Sequence, residues 1–254
     1  MSDLDLALVT ALVHAARRLA ATRSLEEAGE EVVRAATSAV PGFVSAALVV
    51  GDADGASAVV AASDETARAL ATYQLHLEQG PLALALDQAR TVQTADTRRD
   101  PRWPRLARSL VVRATAPVAA QLCTPLVVGG RVLGALDLSA PVTGLPAEPW
   151  VRAAELHATQ AAMVLERLQV EAQLASAVDS RTVIGQAVGL LMERLRVGRD
   201  EAVELLKQHS SISNTRVRTL ADELVAEADE LYGASPRAGD AAVPASPSAL
   251  PRLR

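Results

Sequence analysis

Leu122-Cys123-Thr124-Pro125-Leu126-Val127-Val128-Gly129-Gly130-Arg131-Val132-Leu133-Gly134-Ala135-Leu136-Asp137-Leu138 reads as two apolar strands, 122–128 and 131–138, joined by a pair of glycines. A two-residue Gly-Gly turn tolerates the positive φ angles that a tight hairpin requires. An antiparallel hairpin is therefore the firmest local feature of the sequence, and it fixes the class of the domain around it.

Upstream, residues 4–21 have helical periodicity, with Leu8, Leu12, Ala15 and Leu19 on one face. Two short apolar strands are expected at 43–50 and 56–62, separated by the turn-forming run Gly51-Asp52-Ala53-Asp54-Gly55. Ser63 or Asp64 can cap a helix to about residue 77, because either side chain accepts from free helical N–H groups. Gln79-Gly80-Pro81 breaks it, and a second short helix runs to residue 89. Residues 91–95 read as a strand, and Asp100-Pro101-Arg102-Trp103-Pro104 as a loop, since each proline restricts the residue before it. Helix, strands, helices, strand and hairpin make an α+β order on an antiparallel sheet, with helices flanking it.

Downstream of the turn-rich stretch 141–149, no proline occurs from Trp150 to Arg196. Ala154, Ala158, Ala161, Leu165, Leu168, Ala172 and Ala175 alternate spacings of four and three, an apolar seam with the coiled-coil period. Two readings stay open: a long helix that pairs two chains through 150–196, or a domain-edge helix packed on the first one. A three-helix module follows. Val183, Ile184, Ala187, Leu190, Leu191 and Leu195 lie on its first helix, with Gly185 and Gly189 four apart. Each glycine costs about 1 kcal/mol relative to alanine there, so close approach by another helix is expected. Gly198 caps a second helix, with Asp200 and Glu201 at its positive end, running to about residue 209. A break at 211–213 precedes the third helix, with Ser213 as its cap and Val217, Leu220, Ala221, Leu224, Val225 and Ala228 on one stripe. The Ala-, Pro- and Ser-rich residues 234–254 are expected to be a disordered tail.

Composition narrows the function. The 254 residues carry a net charge of −5, so nucleic acid is not coated by the whole surface. Arginine outnumbers lysine 24 to 1, which we read as codon bias. Cys123 is the one cysteine, so intrachain disulfides and cysteine zinc sites are excluded. Flanked by apolar residues, it reads as a small buried hydrophobe. The acidic start Met1-Ser2-Asp3 lacks the basic beginning of a signal peptide, and no apolar run has membrane-spanning length. A cytoplasmic protein is expected. His14, His76, His157 and His209 form no zinc-like pair, and no nucleophile elbow, phosphate loop or dinucleotide fingerprint occurs. No catalytic residue, metal or cofactor is expected, and the chain is not read as an enzyme.

Charge is unevenly distributed in the last module. Residues 181–218 hold seven basic and four acidic side chains, whereas 219–232 hold five acidic and no basic ones. A phosphate backbone is expected to meet the first stretch and avoid the second. Arg181, Arg194, Arg196, Arg199, Lys207, Arg216 and Arg218 are the candidate cations. Asn214 either reads a base edge or begins a helix. With only Tyr232 aromatic in the module, stacking of bases on aromatic platforms is not expected.

Two family resemblances follow. Gly80-Pro81, Asp100-Pro101-Arg102-Trp103-Pro104 and the hairpin from Pro125 to Leu138 resemble GAF domains of actinobacterial regulators, over residues 5–168. This implies a sensory or dimerising module that takes an unidentified small ligand, with Tyr73, His76 and Gln79 near the expected pocket wall. Where related proteins often read Glu-Gly-Pro-Cys, this chain has Gln79-Gly80-Pro81-Leu82, without the acid and the thiol. The run from Arg181 to Arg194, Asp200-Glu201-Ala202, Leu205-Leu206, Ser213-Asn214 and Arg218-Thr219-Leu220-Ala221 resemble an ANTAR domain, over residues 172–233. That resemblance implies binding of RNA stem-loops in nascent transcripts and prevention of premature termination. Many members have lysine where this chain has Val188, so that phosphate contact is absent. The alternative is a dimeric protein-interaction or small-molecule-sensing regulator without direct RNA binding.

Overall fold

The structure is a computed structural model, and it describes residues 3–51, 57–113 and 118–233. The expected tail at 234–254 and most of the expected turn at 51–55 lie outside the described residues. Two compact units divide the chain, Met1–Ala172 and Gln173–Arg254.

The first unit is built on a five-stranded antiparallel sheet: β1 (Ser45–Gly51), β2 (Ser57–Ala62), β3 (Val92–Thr94), β4 (Ala120–Val128) and β5 (Arg131–Ala140), in the order β2-β1-β5-β4-β3. The expected hairpin is β4–β5, and Gly129 and Gly130 hold φ angles of 57° and 81° at its turn. Gly134 has a different reason to be glycine. A Cβ there would lie 2.0 Å from the Val49 carbonyl oxygen of neighbouring β1.

Both faces of the sheet are covered, so the strands alternate between two apolar layers rather than between core and water. Leu48, Leu122, Leu126, Leu136 and Leu138 face one layer, with Leu19 of α1 (Asp3–Ala20), Val32 and Val33 of α2 (Leu25–Ala39), and Ala154, Ala161 and Leu165 of α6 (Glu148–Leu195). Ala47, Val49, Cys123 and Ala135 face the other. They meet Leu70 of α3 (Glu65–Leu77), Leu82 of α4 (Pro81–Gln88), and Trp103 and Leu106 beside and within α5 (Pro104–Arg113).

Asp64, of the two expected caps, starts α3 by accepting from Ala67 N at 2.9 Å. Two helices that periodicity did not disclose are α2 and α5. The cap of α2 is nonetheless written in Ser24-Leu25-Glu26-Glu27: Ser24 Oγ accepts from Glu27 N at 3.1 Å, and Glu27 Oε2 accepts from Arg23 N at 2.9 Å.

The expected seam on α6 resolves differently along its length. Ala154, Ala158, Ala161, Leu165 and Leu168 are buried within the chain's own first unit, while Ala172 and Ala175 are exposed. The coiled-coil period there is the imprint of intramolecular packing.

The second unit holds the end of α6 with α7 (Arg199–Ser213) and α8 (Val217–Gly233). Ala187, Val188, Ala202, Leu206, Leu220 and Ala221 form its core. Helix α7 runs one turn further than expected. Ser213 does not cap α8; its hydroxyl donates to His209 O at 2.8 Å, inside α7. Asn214 ends α7 in the left-handed conformation, φ 51°, with its N–H donating to Ser210 O. Asparagine tolerates that conformation better than most residues, so Asn214 is a helix stop and not a helix start.

Candidate functional site

The seven candidate cations do not form one patch. Arg196 and Arg199 flank the α6–α7 turn, while Arg181 lies fifteen residues back along α6, about 22 Å at the helical rise. Arg216 stands in the α7–α8 turn, next to the start of α8. That start is tied to α6 near Arg181, because Arg218 Nη1 donates to Ser180 Oγ at 2.7 Å and to Ser176 O and Oγ, each at 3.2 Å. Basic residues therefore collect at two ends of the module, with Lys207 midway along α7.

Pairing divides them further. Arg218 also meets Asp179, and Asp222 at 3.7 Å. It clamps α8 to α6 and has little charge left for a partner. Arg194 is 3.5 Å from Glu227, and Lys207 is 2.8 Å from Glu204. Arg181, Arg196, Arg199 and Arg216 are exposed and have no ion pair among the described residues. These four are the cations available to phosphate.

Two expectations for α6 change. Gly185 and Gly189 receive no helix among the described residues: a Cβ at either would meet nothing within 4 Å there. Gly189 instead lines an open groove with Gln186, Leu190, Glu193, Val225, Ala228 and Asp229. Val188, where the resemblance led us to look for a lysine, is buried in the core against the other helices. Its side chain contributes packing.

In the first unit, the three expected pocket residues diverge. His76 is exposed and Tyr73 half-buried, while Gln79 Oε1 accepts from Arg105 N at 3.1 Å and joins the end of α3 to α5. A pocket of about 630 Å³ beside them is lined by Leu75, Glu78, Ala83, Leu84, Leu86, Asp87 and Trp103, and by none of the three. The Asp-Pro-Arg-Trp-Pro loop is held by its own charges. Arg102 Nη2 donates to Asp100 Oδ2 at 2.7 Å and to Gln93 O at 3.0 Å, and its guanidinium lies 4.2 Å from the Trp103 ring centre. The Arg102 guanidinium holds the Asp100 carboxyl down at about 2.

The polar centre of this unit lies on Asp137, Gln74, Gln121 and Thr97, none of which stood out in the sequence as a site residue. Asp137 sits on β5, the central strand, and is buried. Its carboxylate accepts from Gln74 Nε2 at 2.8 Å, from Gln121 Nε2 at 3.0 and 3.2 Å, and from Cys123 Sγ at 3.1 Å. Gln74 Oε1 in turn accepts from Leu82 N at 2.9 Å, at the start of α4. Gly80 makes room for this: a Cβ there would lie 2.3 Å from Gln74 Oε1. Burial pushes the Asp137 carboxyl up to about 6, against the pull of its hydrogen-bond donors. The Cys123 thiol is pushed up by burial and by Asp137, so it stays protonated. The available signal was a lone acid inside an otherwise apolar strand.

Comparison with known families fits both halves. The GAF domain model matches residues 22–166, more than half of the chain, and the ANTAR domain model matches residues 172–225. The chain belongs to the GAF family. Its C-terminal module is an ANTAR domain. No curated protein matches it. Among solved structures, the chain is similar to the GAF domain of an Acinetobacter phosphoenolpyruvate-protein phosphotransferase, with a TM-score of 0.53 and 14% identity over 67% of this chain and 97% of that one. The corresponding domain from Coxiella burnetii gives 0.54 and 17% over 68% and 99%. The photosensory core module of the Stigmatella aurantiaca phytochrome gives 0.53 and 15%, covering 84% of this chain and 46% of that one. At these identities the likeness is one of fold. GAF and ANTAR domains are regulatory modules. No helix among the described residues is long and apolar enough to cross a membrane, and no cluster of three or more His, Cys, Asp or Glu there is placed to hold a metal ion.

Proposed function

We propose that this GAF–ANTAR protein is a signal-responsive transcription antiterminator. Its ANTAR domain captures RNA stem-loops in nascent transcripts, and its GAF domain, responding to an input or a small ligand, governs that capture. The single observation that carries this reading is the ANTAR match over residues 172–225. The unpaired Arg181, Arg196, Arg199 and Arg216 support it, because they offer positive charge to phosphates at both ends of the module. Asn214 remains exposed in the α7–α8 turn beside Arg216, where a base edge is within its reach only if the RNA meets that end.

The test is binding of the full chain to stem-loop pools across a salt series. Changing all four unpaired arginines to alanine takes up to four cations away from the phosphate backbone. The log–log salt slope should flatten by about 0.7–0.9 for each phosphate no longer neutralised. Retention that is unchanged by the four substitutions would refute an RNA interface on these residues.

We also propose that the protein is a homodimer, with the pairing face of α6 distinct from the expected seam. Leu156, Met163 and Val170 recur every seven residues and are 56%, 64% and 46% exposed, which is high for large apolar side chains on one stripe. Pairing with a second copy would cover them.

An apolar groove in the ANTAR domain favours a second reading. It has a volume of about 380 Å³ and is lined by Leu191, Leu195, Leu205, Leu206, Leu220 and Leu224, together with His209, Glu223 and Glu227. A protein partner would bind there with little salt dependence and leave no RNA footprint.

A further inference from the structure

The hydrogen-bond chain around Asp137 is complete with the acid ionised, and the acid is buried with no cation beside it among the described residues. Thr97 Oγ1 lies 2.8 Å from Gln121 Oε1 and 3.0 Å from Ala119 O. Both neighbours are acceptors, and a threonine hydroxyl has one hydrogen to give; Ala119 O also accepts from Thr97 N at 2.7 Å, so that hydrogen is free to serve Gln121 Oε1. At the other end, Asp137 accepts from donors on two elements: Gln74 of α3, and Gln121 and Cys123 of β4. Facing elements otherwise contribute apolar or uncharged groups: Ala47 of β1 across the ladder, the Leu82 N–H of α4 through Gln74, and Trp103 and Leu106 from the α5 side. Among the groups that act on its carboxyl, Cys123 alone is titratable.

A neutral carboxylic acid needs an acceptor for its new O–H. The two glutamines differ in whether they can supply one. Gln74 cannot turn its amide over, because its oxygen serves a backbone N–H, and an NH₂ placed there would meet donor against donor. Gln121 can, because its partner is a hydroxyl, which accepts as well as donates. After the turn, Asp137 O–H donates to Gln121 Oε1, Gln121 Nε2 donates to Thr97 Oγ1, and Thr97 Oγ1 donates its one hydrogen to Ala119 O. The new O–H, the Gln121 oxygen and the Thr97 hydroxyl each then have a partner, and the Gln74 link to α4 is untouched.

We propose that Asp137 is a buried proton-binding site, and that uptake of a solvent proton there turns the Gln121 amide over and tightens the strand β4–Thr97 contact. The GAF domain thereby takes the proton itself as a ligand. The raised carboxyl of Asp137 places this event close to neutral pH. The inference is independent of RNA binding, since it concerns the first unit alone.

The sign of the stability effect follows from linkage. A folded-state value of about 6 lies above the ordinary 3.8, so the folded state binds the proton more tightly, and stability rises as pH falls through 6. Between pH 7.5 and 4.5 this single group raises the folding equilibrium constant by about 25-fold. His157 acts in the opposite sense, because burial lowers it and the unfolded chain takes its proton more readily. Comparison with Asp137→Asn at each pH removes that contribution. Asparagine carries a donor and an acceptor in place of the neutral acid.

The experiment is a pH titration of the full chain with two readouts. Carboxyl ¹³C and side-chain amide NMR follow Asp137 and Gln121. Urea unfolding followed by tryptophan fluorescence reports the first unit, because Trp103 and Trp150 both belong to it. The proposal expects Asp137 and the Gln121 amide to titrate with one shared midpoint near 6, and the Leu82 amide to stay protected throughout. It expects the wild-type folding constant, divided by that of Asp137→Asn, to rise about 25-fold between pH 7.5 and 4.5. Cys123→Ala removes a donor that favours the ionised form, so it should move both midpoints up together. A midpoint for Asp137 below 5, a Gln121 amide that does not change, or loss of Leu82 protection in step with Asp137 would each overturn the proposal. Should Asp137→Asn fail to fold, the wild-type and Cys123→Ala titrations decide it alone.

Discussion

Arg216 and Arg218 lie two residues apart and, as charges in a basic stretch, look equivalent; the structure separates them, and replacing each by alanine tests the separation. Arg218 fastens α8 to α6 through Ser176 and Ser180, with Asp179 and Asp222 beside it. A hydrogen bond to a charged group contributes about 1.5–3 kcal/mol when shielded. Here the arginine side chain is more than a third exposed, and exposed ion pairs add at most about 1 kcal/mol. Discounting for solvent, Arg218→Ala should cost about 1–2 kcal/mol of the module's stability. Arg216 has no ion pair among the described residues, so Arg216→Ala should leave stability within about 0.5 kcal/mol of wild type.

Hydrogen exchange at the Leu220 and Ala221 amides of α8 measures this directly, since about 1.4 kcal/mol corresponds to a tenfold loss of protection. The same two variants are then carried through the RNA salt series. Arg216→Ala should flatten the slope by about 0.7–0.9, one phosphate's worth, with α8 protection intact. Arg218→Ala should lose protection by about tenfold with the slope retained. The opposite pattern, a flattened slope and full protection in Arg218→Ala, would refute the reading of Arg218 as a clamp.

The two faces of α6 invite a paired test. Leu165→Ala removes a fully buried side chain of the first unit and should cost about 2–5 kcal/mol in tryptophan-detected urea unfolding. Leu156→Glu with Met163→Glu alters only exposed positions; sedimentation should show a dimer becoming a monomer, and a monomeric wild type would sink the pairing face. Gly134→Ala forces a methyl group against the Val49 carbonyl oxygen. Because a backbone atom has to move, the loss should exceed about 2 kcal/mol by the same unfolding assay, and a neutral result would contradict the close approach of β1 and β5.

What the sequence disclosed, and what it hid, follows from the range over which each interaction acts. The hairpin was legible because Gly129-Gly130 acts locally, and α3 because Asp64 caps it within one turn. Helix α7 was misjudged by one turn because serines at 210, 211 and 213 look like a break. Their hydroxyls can be satisfied within the helix, as Ser213 is by His209 O, and the true stop is the left-handed Asn214. The α6 seam stayed open between two readings for a different reason. Periodicity reports that a face is buried, but not which chain buries it. The same 3.5-residue rhythm describes Ala154 to Leu168 packed on their own sheet and two helices packed on each other. The Asp137 network was the least visible, because its members Gln74, Thr97, Gln121 and Asp137 are separated by 16 to 63 positions wherever they touch across elements. Each looks alone like a polar residue awaiting solvent. Only the sheet order, which sets β5 at the centre between β1 and β4, removes that solvent and makes each depend on the others. The same folding that buries the acid thus leaves its charge to be decided by two amides, a thiol and a hydroxyl, and pH reaches the core of the sensor domain through them.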